Sequence, residues 1–383
     1  MAKLATPKKR VLIYSIGYHP HIGGAEVAVE KITVGIRTIE WTMITLDLYK
    51  NLPAMEQIGS ILVYRVRCPK IFFPFVGFWK GVKLYTEQPF DIVWSIMTYA
   101  GFAALFMRLW FGSDIKFLLT LQEGTPLAEI KRKTLIAYPL LVLMFKKADQ
   151  VQAISEFLAA FGRDMGHTKD VVVVPNGVDL KYFSVAPKKT DQYALIEKLG
   201  KKPGDIFLIT TSRLVKKNAI DDCITALTYL PEYIRFLIVG KGEEEQRLRA
   251  LAIKLGVRER VTFLGFLPQQ DIPLFLAVSD IFVRPSRSEG FGNSFIEAMA
   301  AGKPVVTTPV GGIPDFIDDR ETGIFCRPDN PKSLSEAIME IVNNRALQEK
   351  IIRQGRERVM TRYGWPMVVE QMKEKVFRPL LQE

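Results

Sequence analysis

Two glutamates, Glu289 and Glu297, stand eight positions apart in the stretch Arg284-Pro-Ser-Arg-Ser-Glu-Gly-Phe-Gly-Asn-Ser-Phe-Ile-Glu-Ala-Met-Ala-Ala-Gly-Lys-Pro-Val-Val306. The stretch leaves an apolar strand pattern, passes through a glycine loop, and enters a helical pattern near Ser294 that stops at Gly302. Backbone N–H groups at such a helix start form an anion site, for which a diphosphate is a natural occupant. Glu289 falls in the loop and Glu297 one turn into the helix, so both carboxylates can face one pocket. Plainer readings stand beside this one. Ser294-x-x-Glu297 is also a capping box, and Glu289 could be a solvated loop carboxylate.

The elements that must position these groups alternate along the chain. Arg10-Val-Leu-Ile-Tyr-Ser15 reads as a strand, followed by a glycine loop to Gly24 and a helical pattern through Val27, Val29, Ile32 and Ile36. Further strands are predicted at Ile44-Thr-Leu, Ile61–Val66, Ile92–Ile96, Phe117–Leu121, Gln150–Ile154 and Val171–Val174. A second series follows the polar stretch Ala186–Asp191, taken as the linker: Ile206–Thr210, Phe236–Gly240, Val261–Gly265, Ile281–Arg284 and Pro304–Thr308. Strands alternating with helices predict parallel sheets covered on both faces, with ligands at the carboxyl ends of the strands.

Composition bounds the rest. The chain has 383 residues, 48% hydrophobic and 24% charged, which suits two globular domains. Cys68, Cys223 and Cys326 are odd in number and lack zinc spacing, which points to a reducing cytoplasm. The start does not read as a signal peptide, and the apolar run Leu135–Phe145 is a core helix rather than a membrane span. A formal net charge of +11 favours anionic partners.

Glu289-Gly-Phe-Gly-Asn-Ser-Phe-Ile-Glu297 resembles the E-x7-E signature of family 4 glycosyltransferases, retaining enzymes of the GT-B fold. The similarity covers nearly the whole chain. Gly23-Gly24-Ala-Glu looks like the family's N-terminal glycine loop, Pro175-Asn-Gly-Val-Asp179 like its interdomain turn, and Ser212-Arg-Leu-Val-Lys-Lys-Asn218 like its phosphate-binding segment. Val239-Gly-Lys-Gly242, Phe263-Leu-Gly-Phe266 and Pro309-Val-Gly-Gly-Ile-Pro314 match as well.

The resemblance implies an α/β chain of two Rossmann-like doubly wound domains facing a central cleft. Residues 1–190 would form the acceptor side, 191–364 the nucleotide-sugar donor domain, and 365–383 a helix packing back on the first domain. Arg213 and Lys217 would clamp the diphosphate, with Lys216 as the alternative to Lys217, because the family's lysine often lies where this chain has Asn218 and the usual glycine next to it is Ala219. Glu289 would orient the donor sugar and Glu297 the ribose. Gly290, Phe291, Gly292 and Asn293 would complete the donor loop, Gly23 and Gly24 would let backbone N–H groups approach the phosphate, and Phe266 would wall the base. No metal or cofactor is required, since the nucleotide-sugar is itself the substrate.

One departure concerns the end of the strand Phe117–Leu121, where family members commonly carry histidine and this chain has Gln122. An amide can hydrogen-bond the donor sugar but cannot share a proton. His19 and His21 in the glycine loop are the alternatives near the cleft. On the acceptor side, Lys70–Lys83 contains five aromatics, three lysines and no acid, which suits either an anionic membrane surface or a packed helix.

These features imply a UDP- or GDP-sugar-dependent transferase acting on a glycan or lipid-linked acceptor in cell-envelope polysaccharide or glycolipid synthesis. It would be cytoplasmic, peripheral on the inner face of the membrane. The alternatives are an epimerase or phosphorylase of the same architecture, and a non-catalytic basic membrane-binding protein. Nucleic acid is the less favoured partner, and the loop Gly17–Gly24 lacks the glycine spacing of a dehydrogenase.

Overall fold

The computed structural model describes residues 8–125, 129–130, 132, 135 and 137–382. The chain divides into two compact units, Met1–Asn176 together with Trp365–Glu383, and Gly177–Gly364.

In the first unit β1 (Lys9–Tyr14), β2 (Ile39–Leu46), β3 (Met55–Ile58), β4 (Ile61–Val66), β5 (Ile92–Ile96), β6 (Lys116–Leu121), β7 (Gln150–Ala153) and β8 (Val172–Val173) form one sheet. Their order is β3-β4-β2-β1-β5-β6-β7-β8. β5 is buried at every position and β1 from Val11 to Tyr14, as strands covered on both faces must be. β3 is the exception to the predicted parallel series. It pairs antiparallel with β4 at the sheet edge, and its alternating half-exposure leaves no apolar run to read.

The terminal helix Trp365–Met372 packs in this unit, where Phe377 stands edge-on to Trp41 and Trp94 with centroids 5.3 and 5.2 Å away. Gln150 Nε2 donates to Lys375 O at 2.9 Å, tying the same segment to β7. The run Leu135–Phe145 contributes to the helix Tyr138–Lys147, which buries Leu141, Met144 and Phe145. Among the described residues no helix is long and apolar enough to cross a membrane.

In the second unit β9 (Ile206–Thr211), β10 (Ile234–Val239), β11 (Val261–Gly265), β12 (Ile281–Arg284), β13 (Val305–Thr307) and β14 (Ile324–Phe325) are all parallel, in the order β11-β10-β9-β12-β13-β14. Leu208, Phe236, Ile238, Ile281 and Val283 anchor a core closed by Leu334, Ile338 and Ile341 of the helix Pro331–Asn343. The stretch Ala186–Asp191, predicted as the linker, instead runs into the helix Lys189–Leu199 of this unit, and the division falls at Asn176/Gly177. A polar, lysine-bearing composition does not separate a linker from an exposed helix with only Leu195 buried.

Candidate active site

The second sheet reverses its order at β9. The chain runs outward through β10 and β11 on one side and through β12, β13 and β14 on the other. Loops leaving the carboxyl ends of β9 and β12 therefore diverge, and such a switch point opens a crevice where doubly wound sheets bind ligands. Ser212–Asn218 leaves β9 there, and Pro285–Gly292 leaves β12.

Arg284, the last residue of β12, organises this crevice. It is buried, with its guanidinium 4.1 Å from the Phe295 ring centroid. Nη1 donates to Ser294 Oγ and Nη2 to Glu289 Oε2, each at 2.7 Å. Burial lowers its pKa, opposed by Glu289 and Glu297. Glu289 is itself buried; its Oε1 accepts from Gly290 N at 3.2 Å and lies 3.7 Å from Lys217 Nζ. A carboxylate held by a guanidinium, an ammonium and a backbone N–H is not the solvated loop group that composition alone allows.

Lys217 sits in a 3-10 turn, Lys216–Asn218. Burial lowers its pKa; Glu289 pulls it back up, while Arg284 and Arg213 push it further down. Lys216 is exposed, so the geometry brings Lys217 to the glutamate. Arg213 is exposed at the same loop, its carbonyl accepting Asn218 Nδ2 at 2.7 Å. Ala219 adopts a left-handed backbone, φ 52°, at the place where the family pattern has glycine.

The helix Asn293–Ala300 starts after Gly292, whose φ is 99° and where a Cβ would stand 2.5 Å from Phe295 Cδ2. The helix starts at the crevice, with Phe295 N donating back to Gly292 O at 3.0 Å, and the positive end of a helix favours an anion at such a place. Ser294 lies inside the helix rather than at its cap, and Glu297 Oε1 accepts from Gln269 Nε2 at 3.0 Å, so the capping box does not form. Burial pushes the Glu297 carboxyl up to about 7 against the pull of Gln269 and Arg284.

Not every predicted residue faces the crevice. Phe291 is buried, its ring 4.9 Å from Phe316 and 5.7 Å from Tyr363, so only its backbone belongs to the loop. Gly290 and Asn293 stay in the loop and helix start, and Phe266 is exposed just past β11.

The remaining candidates belong to the first unit. Gly23 precedes and Gly24 begins the helix Gly24–Gly35, and Glu26 Oε2 lies 2.7 Å from where a Gly23 Cβ would be. His19 Nε2 is 3.0 Å from Glu30 Oε2. Gln122 is buried past β6, its Oε1 accepting from Asn176 Nδ2 at 3.3 Å. Beside it the buried Glu123 accepts from Thr98 N at 2.6 Å, and burial raises its pKa.

Sequence reasoning missed Arg284, Arg287, Gln269 and Glu123. Arg287 binds the two loops together: its N–H donates to Lys217 O at 2.7 Å, and its side chain reaches Lys216 O, Asp221 and Asp222 at 2.8, 2.9 and 3.0 Å. Burial works against its charge, but Asp221, Asp329 and Asp222 outweigh burial and raise its pKa. Both arginines stand in the glutamate stretch, so their positions were visible while their partners were not. Among the described residues no group of three or more His, Cys, Asp or Glu side chains is placed to hold a metal ion.

Two doubly wound units, parallel apart from β3, with cations and a helix start at the switch point of the second, have the architecture of the GT-B class of glycosyltransferases. Residues 22–182 match Glycosyltransferase Family 4 and residues 191–358 match Glycosyl transferases group 1. The chain belongs to the family 4 glycosyltransferases.

It is 26% identical over 408 residues to an uncharacterised glycosyltransferase of Methanocaldococcus jannaschii, covering 98% of this chain and 99% of that one. It is 30% identical over 221 residues, 55% of this chain and 56% of the other, to a GDP-mannose-dependent alpha-(1-6)-phosphatidylinositol monomannoside mannosyltransferase of Mycobacterium tuberculosis. Its fold is similar to that of Anabaena HepE in complex with UDP and glucose, with a TM-score of 0.81 at 21% identity, covering 97% of this chain and all of that one.

Proposed function

We propose that this enzyme transfers a sugar, with retention of configuration, from a UDP- or GDP-sugar to a glycan or lipid-linked acceptor at the cytoplasmic face of a membrane. The acceptors named for the Mycobacterium relative and the UDP held by the Anabaena protein support both halves of this reading. The observation that carries it is the ionic triad at the switch point of the second unit, in which the half-buried Lys217 and the buried Arg284 flank Glu289 beside the start of the helix Asn293–Ala300.

The chemistry follows from charge. Breaking the bond between the anomeric carbon and the diphosphate oxygen leaves negative charge on the nucleotide. Lys217, Arg213 and the helix N-terminus stabilise it without reorganising. Retention then proceeds by attack of the acceptor hydroxyl from the leaving-group side. Its oxygen bonds the anomeric carbon while its proton passes to the departing phosphate oxygen, so no second carboxylate is needed as nucleophile. Glu289 orients the sugar hydroxyls, and Glu297 accepts from the ribose. The nucleotide-sugar is the only small molecule the scheme requires.

Thermal denaturation against a panel of nucleotide-sugars, UDP and GDP tests the donor assignment. A ligand at 100 times its dissociation constant adds about 2.7 kcal/mol to folding. One nucleotide series is expected to raise the melting temperature. If neither series shifts it, the donor reading fails.

A further inference from the structure

The helix Phe73–Glu87 buries Phe73, Phe78, Gly77 and Leu84 on one side, as a helix covering a sheet should. Its other side is apolar too. Phe72, Phe75, Val76 and Trp79 recur at helical spacing and are all exposed, Phe75 at 56% and Trp79 at 59%. A surface helix normally carries polar side chains on that face. The neighbouring helix Met97–Phe111 extends the surface with Leu109 and Trp110, the latter 61% exposed.

These side chains form one patch rather than scattered exposures. Phe75 stacks on Phe106 with centroids 5.5 Å apart, and Trp79 meets Trp110 edge-on at 5.8 Å. Phe78 stands beneath both, 5.0 Å from Trp79 and 5.9 Å from Trp110. Contiguous apolar patches of this kind mark interaction sites, and two tryptophans at the rim suit a boundary between apolar and wet phases.

The charge around the patch selects the partner. Lys70, Lys80 and Lys83 flank the aromatic run in the same segment, Lys70 and Lys83 exposed, with Lys80 Nζ 4.3 Å from the Tyr64 ring centroid and Lys70 Nζ 5.5 Å from that of Tyr99. No acid occurs from Lys70 to Thr86. Glu87 ends the helix Phe73–Glu87, and Asp91 and Asp114 act on Tyr85 near the carboxyl ends of the two helices. Aromatic side chains framed by lysines match the boundary of an anionic bilayer, where acyl chains meet negative headgroups.

We infer that the exposed face shared by the helices Phe73–Glu87 and Met97–Phe111 docks this enzyme on an anionic phospholipid surface, with Trp79 and Trp110 entering the boundary layer and Lys70, Lys80 and Lys83 meeting headgroups. The inference gives a surface to the membrane part of the reading above. It does not depend on the transfer chemistry, because the face lies in the first unit and Lys217, Arg284 and Glu289 in the second.

Flotation of the full chain with vesicles, in the absence of any nucleotide, tests it. Wild type is expected to float with phosphatidylcholine vesicles containing phosphatidylglycerol, to float less at high salt, and to remain below with phosphatidylcholine alone. Tryptophan emission should shift to the blue on binding. The double variant Trp79→Ser/Trp110→Ser is expected to lose at least about tenfold in partitioning, and Lys80→Gln/Lys83→Gln to lose about as much and to lose the salt dependence. Both variants should keep the wild-type nucleotide-induced rise in melting temperature, which separates a lost docking face from a lost fold or a wrong donor assignment. Vesicle binding that survives the tryptophan variant, or no binding by wild type, overturns the inference. So does a wild-type dimer in sedimentation velocity that the tryptophan variant converts to monomer, since the face would then belong to a second copy of the chain.

Discussion

Arg284 holds Glu289 through a hydrogen bond of 2.7 Å from Nη2 to Oε2, and with its other nitrogen it holds Ser294 in the first turn of the following helix. One buried guanidinium thus fixes both the loop carboxylate and the helix start at the switch-point crevice. Its planar fork suits two directions at once, which an ammonium cannot reproduce. Arg284→Lys is expected to lower kcat by about 10–100-fold while leaving the donor KM little changed, because a carboxylate displaced by even 1 Å forfeits orientation at the reacting centre. Arg284→Met should also lower the melting temperature, since Glu289 would stay buried without its partner. Steady-state kinetics on the folded fraction of each variant check this. A purely structural role would reduce stability and leave kcat per folded molecule unchanged.

Lys217 is expected to act on the diphosphate rather than on the nucleoside. Removing a charge-assisted hydrogen bond worth about 1.5–3 kcal/mol should weaken UDP or GDP binding by about 10–100-fold in Lys217→Ala. Uridine or guanosine affinity should stay near wild type. Calorimetric titration of each pair of ligands measures the difference, and an equal loss for nucleoside and diphosphate would place the lysine elsewhere.

Glu297 gives the site a pH dependence whose sign is fixed. Burial raises its folded pKa from 4.5 to about 7, so between those values the native state keeps a proton that the unfolded chain has lost. Its contribution to stability therefore falls as pH rises through that window and levels off above it. Ribose hydroxyls donate best to the ionised carboxylate, so nucleotide binding should release a proton and strengthen from about pH 6 to about pH 8. Glu297→Gln should lose that part of the dependence. Titrations in buffers of different ionisation enthalpy count the protons directly.

Gly311 allows the segment Pro309–Pro314 to lie against the Glu289 loop. A Cβ there would stand 1.8 Å from Glu289 O, and the backbone φ is 59°. Gly311→Ala is expected to destabilise the protein by on the order of 3 kcal/mol, because backbone on both sides must move. Chemical denaturation measures the loss, and a variant as stable as wild type would show that the loop yields.

Much of the fold was written in hydrophobic periodicity. β4, β5, β11 and β12 begin and end where their apolar runs do, and β5 and β12 are buried at every position, as strands covered on both faces must be. β3 escaped because an edge strand buries little. The unit division at Asn176/Gly177 falls inside Pro175–Asp179, the turn that the family resemblance marks as interdomain, and not in the polar stretch that composition suggested.

By itself the sequence determined the parallel sheets, the glycine loops and the two glutamates at a helix start, because each depends on residue type and near spacing. Tertiary structure decided which charges meet. Arg287 was in plain view, but its partners Lys216, Lys217, Asp221 and Asp222 are brought to it from a loop and helix after β9. It also turned the Phe291 ring into the core and set Gln269 against Glu297. Burial and the strength of a charge pair are properties of a neighbourhood, and the neighbourhood exists only once β9 and β12 lie side by side with their loops diverging.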